Sequence, residues 1–181
     1  MAKKLIGIAG KAGSGKDTVA DYLKANYNFE SVAFAEPIRE GMRAMLKLED
    51  EHFQHPGKEV VLEEFGKSPR EMMQTLGTDW ARDCVNKDLW LILAAKSVKE
   101  WHYQGYNVVI TDVRFANEAD YIRKHGGVVW HINRADAGTP HGHVSEAGVA
   151  FDTRDEVIDN NGTLYKLYQQ VNSLWAKERA K

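Results

Sequence analysis

One cysteine in 181 residues closes no internal disulfide and builds no multi-cysteine metal site. Cys84 therefore fits a reducing compartment and reads as a small, buried apolar residue. With only four prolines and no repeat, heptad or low-complexity tract, the chain offers no obvious linker between independent domains. No segment approaches the ~20 consecutive apolar residues that span a bilayer. The start, Met1-Ala2-Lys3-Lys4, runs within a few apolar residues into a glycine-rich turn, which is not the pattern of a cleaved signal. A cytoplasmic protein without a membrane partner is expected. Charge of one sign is missing as well: 24 Lys and Arg face 26 Asp and Glu, a formal net charge of −2. No global positive field draws the chain onto nucleic acid, so any positive charge needed for phosphate must be local.

Hydrophobic residues make up 43% of the chain, enough for one well-buried α/β core with a modest insertion. Strands are expected at Lys4–Ala9, Ser31–Phe34, Asn107–Thr111, Val128–Ile132 and Glu156–Asp159. Helical patterns fall between most of them, and near-continuous apolar strands alternating with helices imply a parallel sheet covered on both faces. About seventy residues without a strong strand signal separate the second and third strands, far more than a minimal crossover needs. Helices are expected there at Pro37–Leu48, Lys58–Phe65, Pro69–Val85 and Leu89–Tyr103. Ser68 is a good N-cap with Pro69 at the first helical position. Met72, Met73, Leu76 and Trp80 have core spacing on the helix that follows, leaving Arg70, Gln74 and Arg82 for polar work. The final helix, Leu164–Ala180, carries an apolar stripe that includes Leu167, Val171 and Trp175. Trp101, Tyr103 and Trp175 are expected in the core.

The strongest motif is Gly10-Lys11-Ala12-Gly13-Ser14-Gly15-Lys16-Asp17-Thr18, placed after the first strand and before an amphipathic helix. Glycines let the backbone curl so that successive N–H groups face an oxyanion, and the positive end of the next helix dipole faces the same point. Lys16 then reaches the β- and γ-phosphates of a nucleotide, which we expect to be ATP. Asp17 occupies the place where a hydroxyl commonly ligates Mg²⁺, and Thr18 follows one residue later. That spacer resembles the nucleoside monophosphate kinases, which implies a metal held largely through water, with the Asp17 carboxylate available to such a water.

A second chemical segment, Asp112-Val113-Arg114-Phe115-Ala116-Asn117-Glu118, follows the central strand and belongs at the carboxyl edge of the sheet, where doubly wound proteins bind ligands. Asp112 there orients hydrated Mg²⁺, and Arg114 offers a planar fork to a phosphate. The stretch from Arg134 to Arg154, punctuated by Gly138, Pro140, Gly142 and Gly148, reads as a lid with arginines at its ends. Within it His141 and His143 are placed to contact phosphate or Glu146; two histidines fall short of a zinc site.

Gly10–Thr18, Phe34-Ala35-Glu36-Pro37-Ile38-Arg39, Ser68–Arg82 (SPREMMQTLGTDWAR) and Thr111–Glu118 (TDVRFANE) together resemble the phage-type deoxynucleoside monophosphate kinases. His143–Glu146 and Val157–Thr163 add weaker likeness. The resemblance implies a single P-loop domain with its core at about 1–35, 104–133 and 155–181, a helical monophosphate-binding insertion at Glu36 to Tyr103, and a short lid at Arg134 to Arg154. It implies transfer of the ATP γ-phosphoryl group to a deoxynucleoside 5′-monophosphate, with Mg²⁺ as cofactor, in a monomer or homodimer; a phage-encoded copy would work in the host cytoplasm. By matching position, Arg39 and Arg114 grip the acceptor phosphate and Arg70 joins them. Gln74 and Glu118 face the acceptor base, and Trp80 stacks on it or walls its pocket. Arg134 and Arg154 bracket the donor phosphates, and Asn160 and Asn161 lie near the donor adenine. Two other readings stay open: a different small-molecule P-loop kinase, such as a dephospho-coenzyme A kinase, or a non-enzymatic nucleotide-gated switch.

Overall fold

A computed structural model describes residues 3–138 and 148–181. Five parallel strands form one sheet in the order β2-β3-β1-β4-β5: β1 Leu5–Ala9, β2 Phe29–Val32, β3 Asn107–Val113, β4 Val128–Asn133 and β5 Glu156–Asp159. The helices are α1 Lys16–Tyr27, α2 Glu36–Leu46, α3 Pro69–Gln74, α4 Leu89–Tyr103, α5 Ala116–Lys124 and α6 Leu164–Arg179. This is the α/β architecture expected from the alternating pattern.

The chain divides into two compact units, one formed by residues up to Ala33 together with those from Leu93 onward, the other by Phe34–Ile92. In the first, β1 lies between β3 and β4 and every one of its residues is buried, as a strand covered on both faces must be. Ile6 and Ile8 join Val19 and Leu23 of α1 and Leu167, Val171 and Trp175 of α6 in one apolar core. Tyr22 stacks on Tyr168 with ring centroids 4.1 Å apart, fastening α1 to α6. On the opposite face α5 comes so near that a Cβ on Gly7 would stand 2.4 Å from Ile122 Cδ1. Glycine at that point is what lets the helix settle on the sheet.

In the second unit, Phe34, Ile38 and Met42 are buried together with Leu48, Ala81 and Trp90. Ser68 caps α3 as its sequence implies: its side chain accepts from the Glu71 N–H while the Glu71 carboxylate accepts from the Ser68 N–H. Beyond Gln74 the winding loosens into π-type turns over Thr75–Val85, where bonds such as Asn86 N–H to Ala81 O span five residues.

That looser winding corrects one expectation. A regular 3.6-residue period puts Trp80 in the core, but π-type turns rotate the faces, so that Gly77 and Ala81 are buried and Trp80 is 50% exposed. Trp90 fills the core instead, donating its indole N–H to Gly77 O at 2.7 Å. Cys84, in the same segment, is exposed rather than buried. Tyr103, at the end of α4, is also exposed, whereas Trp175 is buried as expected.

Two further elements differ from the sequence reading. No helix spans Lys58–Phe65; a 3₁₀ turn at Gly57–Glu59 leads into a turn closed by a bridge between Leu62 and Lys67. The second strand begins at Phe29 rather than Ser31, because Asn28 adopts a left-handed conformation (φ 56°) that ends α1 and turns the chain directly into the sheet. Among the described residues no helix is long and apolar enough to cross a membrane.

Candidate active site

The phosphate loop occupies the gap between Ala9, the last residue of β1, and Lys16, the first of α1. Gly15 closes it at φ 101°, a left-handed conformation that costs any other residue about 1–2 kcal/mol. No side chain caps α1, which leaves its first N–H groups directed at the loop as an anion site. The Ser14 N–H donates to Lys11 O at 3.2 Å and Ser14 itself is buried, so the loop is a packed turn. Lys16 Nζ donates to Gly10 O and Lys11 O, each at 2.8 Å, holding the ammonium against the concave backbone. Asp17 lies exposed on the first turn of α1, with Thr18 beside it in sequence.

Two distant segments dock onto this loop. Asn160 Nδ2 donates to Ser14 O at 2.8 Å, close enough that a Cβ on Gly15 would approach that nitrogen to 2.4 Å. Asn161 Oδ1 accepts from the Ala135 N–H at 2.7 Å, tying the 160–161 turn to the stretch after β4. That stretch reaches back in turn: the Gly138 N–H donates to Ala12 O at 3.1 Å, and Arg134 Nη1 stands 3.5 Å from Gly13 O. Arg134, Asn160 and Asn161 are thus assembled around Gly10–Thr18.

Asp112 and Arg114 stand at the same edge. β3 pairs directly with β1, with Val113 opposite Ala9, so the acid lies on the neighbouring strand just where β1 gives way to the phosphate loop. Arg114 is the first residue past β3, and Phe115 is the N-cap of α5. Glu118 is 1% exposed, and its Oε2 accepts from the N–H groups of Arg114 at 2.8 Å and Phe115 at 3.0 Å. Glu118, expected to face the acceptor base, is a buried residue whose Oε2 holds the Arg114 turn through two backbone donors.

The second unit holds the remaining acceptor-side candidates. Arg39 Nε donates to Glu36 Oε2 at 2.8 Å, its Nη2 meets the same oxygen, and Arg43 Nη1 reaches Glu36 Oε1 at 3.3 Å. Burial pushes the Glu36 carboxyl up, but hydrogen bonds and charge from Arg39 and Arg43 outweigh it and hold the pKa below its usual value. Arg70 Nε bonds both oxygens of Glu59, at 2.8 and 2.9 Å. Both arginines are therefore oriented by carboxylates before any ligand arrives. Gln74 presents a buried amide nitrogen without a hydrogen-bond partner among the described residues, and exposed Trp80 follows on the π-type segment.

Arg154 is exposed and forms a fork with Asp152, Nε to Oδ1 at 2.8 Å and Nη2 to Oδ2 at 3.0 Å. That hydrogen-bonded pairing holds the Asp152 carboxyl well below the usual range. Behind it lies a cluster that sequence reasoning missed. Asp155, with a fully buried side chain, accepts from Arg123 Nε at 3.1 Å, Arg123 Nη2 at 2.5 Å and the Asp152 N–H at 3.0 Å, and pairs with His131 Nε2 at 2.9 Å. The partners come from α5 and β4, between 24 and 32 residues away, and no local pattern announces them. His141, His143 and Glu146 lie outside the described residues.

A glycine-rich loop between a buried parallel strand and an uncapped helix, with an acid on the adjacent strand, defines a P-loop kinase fold. An unliganded sugar kinase from Janibacter sp. HTCC2649 shares that fold at TM-score 0.55 and 15% identity, over 96% of this chain and 95% of its own. The chain belongs to the deoxynucleotide monophosphate kinase family, which it matches over residues 4–65 and 46–171. It is 32% identical to a provisionally named deoxynucleotide monophosphate kinase of Acanthamoeba polyphaga mimivirus, over 93% of this chain and 94% of the relative. It is 25% identical to the deoxynucleotide monophosphate kinase of Enterobacteria phage T4, over 94% of this chain and 98% of the relative.

Proposed function

We propose that the chain transfers the γ-phosphoryl group of ATP to deoxynucleoside 5′-monophosphates, yielding ADP and the deoxynucleoside diphosphates. The observation that carries this reading is the juxtaposition of Asp112 and the Arg114 turn with the phosphate loop at one sheet edge, in a chain of this family. The dephospho-coenzyme A kinase and switch alternatives are not favoured beside that membership.

Phosphoryl transfer asks little covalent chemistry of a protein; positioning and charge stabilisation supply most of the rate. The N–H groups of Gly13, Gly15 and Lys16 and the Lys16 ammonium hold the donor phosphates, Arg134 adds charge from the segment docked on the loop, and Asn160 fixes the loop's shape. Arg154 joins from the far end of the 134–154 stretch, and Asn161 secures the turn beneath the donor. Arg114 is assigned to the acceptor phosphate, and by the family resemblance so are Arg39 and Arg70 of the second unit, each oriented by its own carboxylate. Gln74 offers its amide to the acceptor base, and Trp80 gives the base a flat, exposed face. The acceptor is already an anionic phosphate near neutral pH, so no general base is required.

Magnesium suits this donor set. Mg²⁺ keeps several waters and is held by one or two carboxylates together with substrate phosphates. Asp112 is one carboxylate at the correct edge, and no group of three metal-binding side chains exists among the described residues to form a closed cage. Asp112, with Asp17 through water, would hold the ion, which supplies neutralisation of charge on the β- and γ-phosphates.

The test is ADP formation from ATP and Mg²⁺ with each common nucleoside monophosphate, and with dephospho-coenzyme A, in turn. Turnover with deoxynucleotides is expected. Turnover only with dephospho-coenzyme A, or ATP binding without acceptor-dependent ADP, overturns the reading.

A further inference from the structure

The geometry points to Glu118 as a positioning residue that acts on the acceptor phosphate through Arg114; this rests on the reading of Arg114 given above. Arg114 is pinned from two sides. On one, the last residue of β3 pairs with β1, Val113 opposite Ala9, after a one-residue shift in register beyond Gly7. On the other, Glu118 Oε2 accepts the backbone N–H groups of Arg114 and Phe115, at 2.8 and 3.0 Å. The N-cap of α5 is Phe115, whose side chain has no acceptor, so the helix start takes its acceptor from the third helical residue instead. Burial of Glu118 at 1% exposure keeps water from competing for these two bonds. The same contact therefore fixes where the Arg114 side chain leaves the backbone. For a guanidinium that must meet a phosphate in line with the donor, that point of departure sets the catalytic alignment.

Four variants test this: Glu118→Ala, Glu118→Asp, Glu118→Gln and Arg114→Ala, each assayed for kcat and for KM of ATP and of several deoxynucleoside monophosphates. Aspartate keeps the charge but is one methylene too short to reach both N–H groups; glutamine keeps the length and an acceptor oxygen. Glu118→Ala and Glu118→Asp are expected to raise acceptor KM on the order of 10-fold, with ATP KM and the order of base preference unchanged. Glu118→Gln restores most of the loss. Adding Glu118→Ala to Arg114→Ala costs little more, because both remove one unit of function. Altered base preference, full additivity, or an equal rise in ATP KM overturns the inference. An effect of Arg114→Ala without one from Glu118→Asp overturns it alone; an acceptor KM indifferent to Arg114→Ala overturns the reading of Arg114 as well. If Glu118→Ala does not fold, the Asp and Gln pair decides.

Discussion

Asn160 and Ser14, 146 residues apart, share a 2.8 Å hydrogen bond from the Asn160 side-chain amide to the Ser14 carbonyl. The turn that introduces α6 is therefore part of the wall of the phosphate loop, and its contact engages a loop carbonyl rather than a loop N–H group.

Loss of that contact loosens the cradle without removing any charge. Asn160→Ala is expected to raise ATP KM several-fold, with a smaller change in acceptor KM, while losing about 1 kcal/mol of stability. Gly15→Ala strikes the same place harder, since its Cβ meets Asn160 Nδ2 and the φ of 101° disfavours alanine. Steady-state kinetics and a thermal melt of both variants check the ranking, which fails if Asn160→Ala is the more damaging.

Lys16 supplies charge to the migrating group. Lys16→Ala should lower kcat on the order of 10²- to 10³-fold, the usual loss when one oriented donor is removed from a charge-stabilising site. Calorimetric ATP titration separates lost binding from lost chemistry. Activity within a few-fold of the parent protein contradicts the assignment.

Asp155 gives a pH signature. Burial raises its pKa, but hydrogen bonds from Arg123, His131 and the Asp152 backbone outweigh burial and leave the folded value below the ordinary one. The carboxylate thus contributes stability that is complete above the unfolded pKa of about 4 and is lost as pH falls through the lower folded value. Asp155→Asn abolishes this term and leaves the buried Arg123 guanidinium only Asp120 and Ala150 O as partners, costing about 3 kcal/mol at pH 7. The melting-temperature gap between parent and variant should be widest near neutrality and shrink below pH 4. A gap that stays constant into acid would remove the ion-pair explanation.

Two tryptophans of one unit should behave oppositely. Trp90→Ala empties a core position and breaks the bond to Gly77 O, for a loss of about 3–5 kcal/mol. Trp80→Ala changes stability by roughly 0.5 kcal/mol or less, as exposed positions do, while raising acceptor KM if the ring stacks on the base. Urea denaturation beside acceptor kinetics distinguishes them.

The fold was legible because strands buried on both faces are written as unbroken apolar runs; Val108, Val109 and Ile110 have no exposed side to encode. The phosphate loop was legible because its glycines and lysine are adjacent in sequence. Two classes of information were not. Helix phase from Thr75 onward depends on the number of residues per turn, which composition does not reveal, so Trp80 was expected in the core and lies exposed. Contacts such as Arg123 with Asp155, or Asn160 with Ser14, join residues brought near only by the sheet order, and nothing local marks one arginine or asparagine among several. Glu118 belongs between these classes: its distance from Phe115 is the spacing of a capping box, but a phenylalanine at the cap hides the signature.

The wide turns of Thr75–Val85 make this stretch sensitive to length rather than to composition. Deleting one residue ahead of Trp80 would permit ordinary α winding and swing the indole inward toward the place now filled by Ala81, while most substitutions would leave the phase intact. In kin whose sequences gain or lose a single amino acid here, the aromatic surface should appear or vanish as a unit, and acceptor range should shift with it.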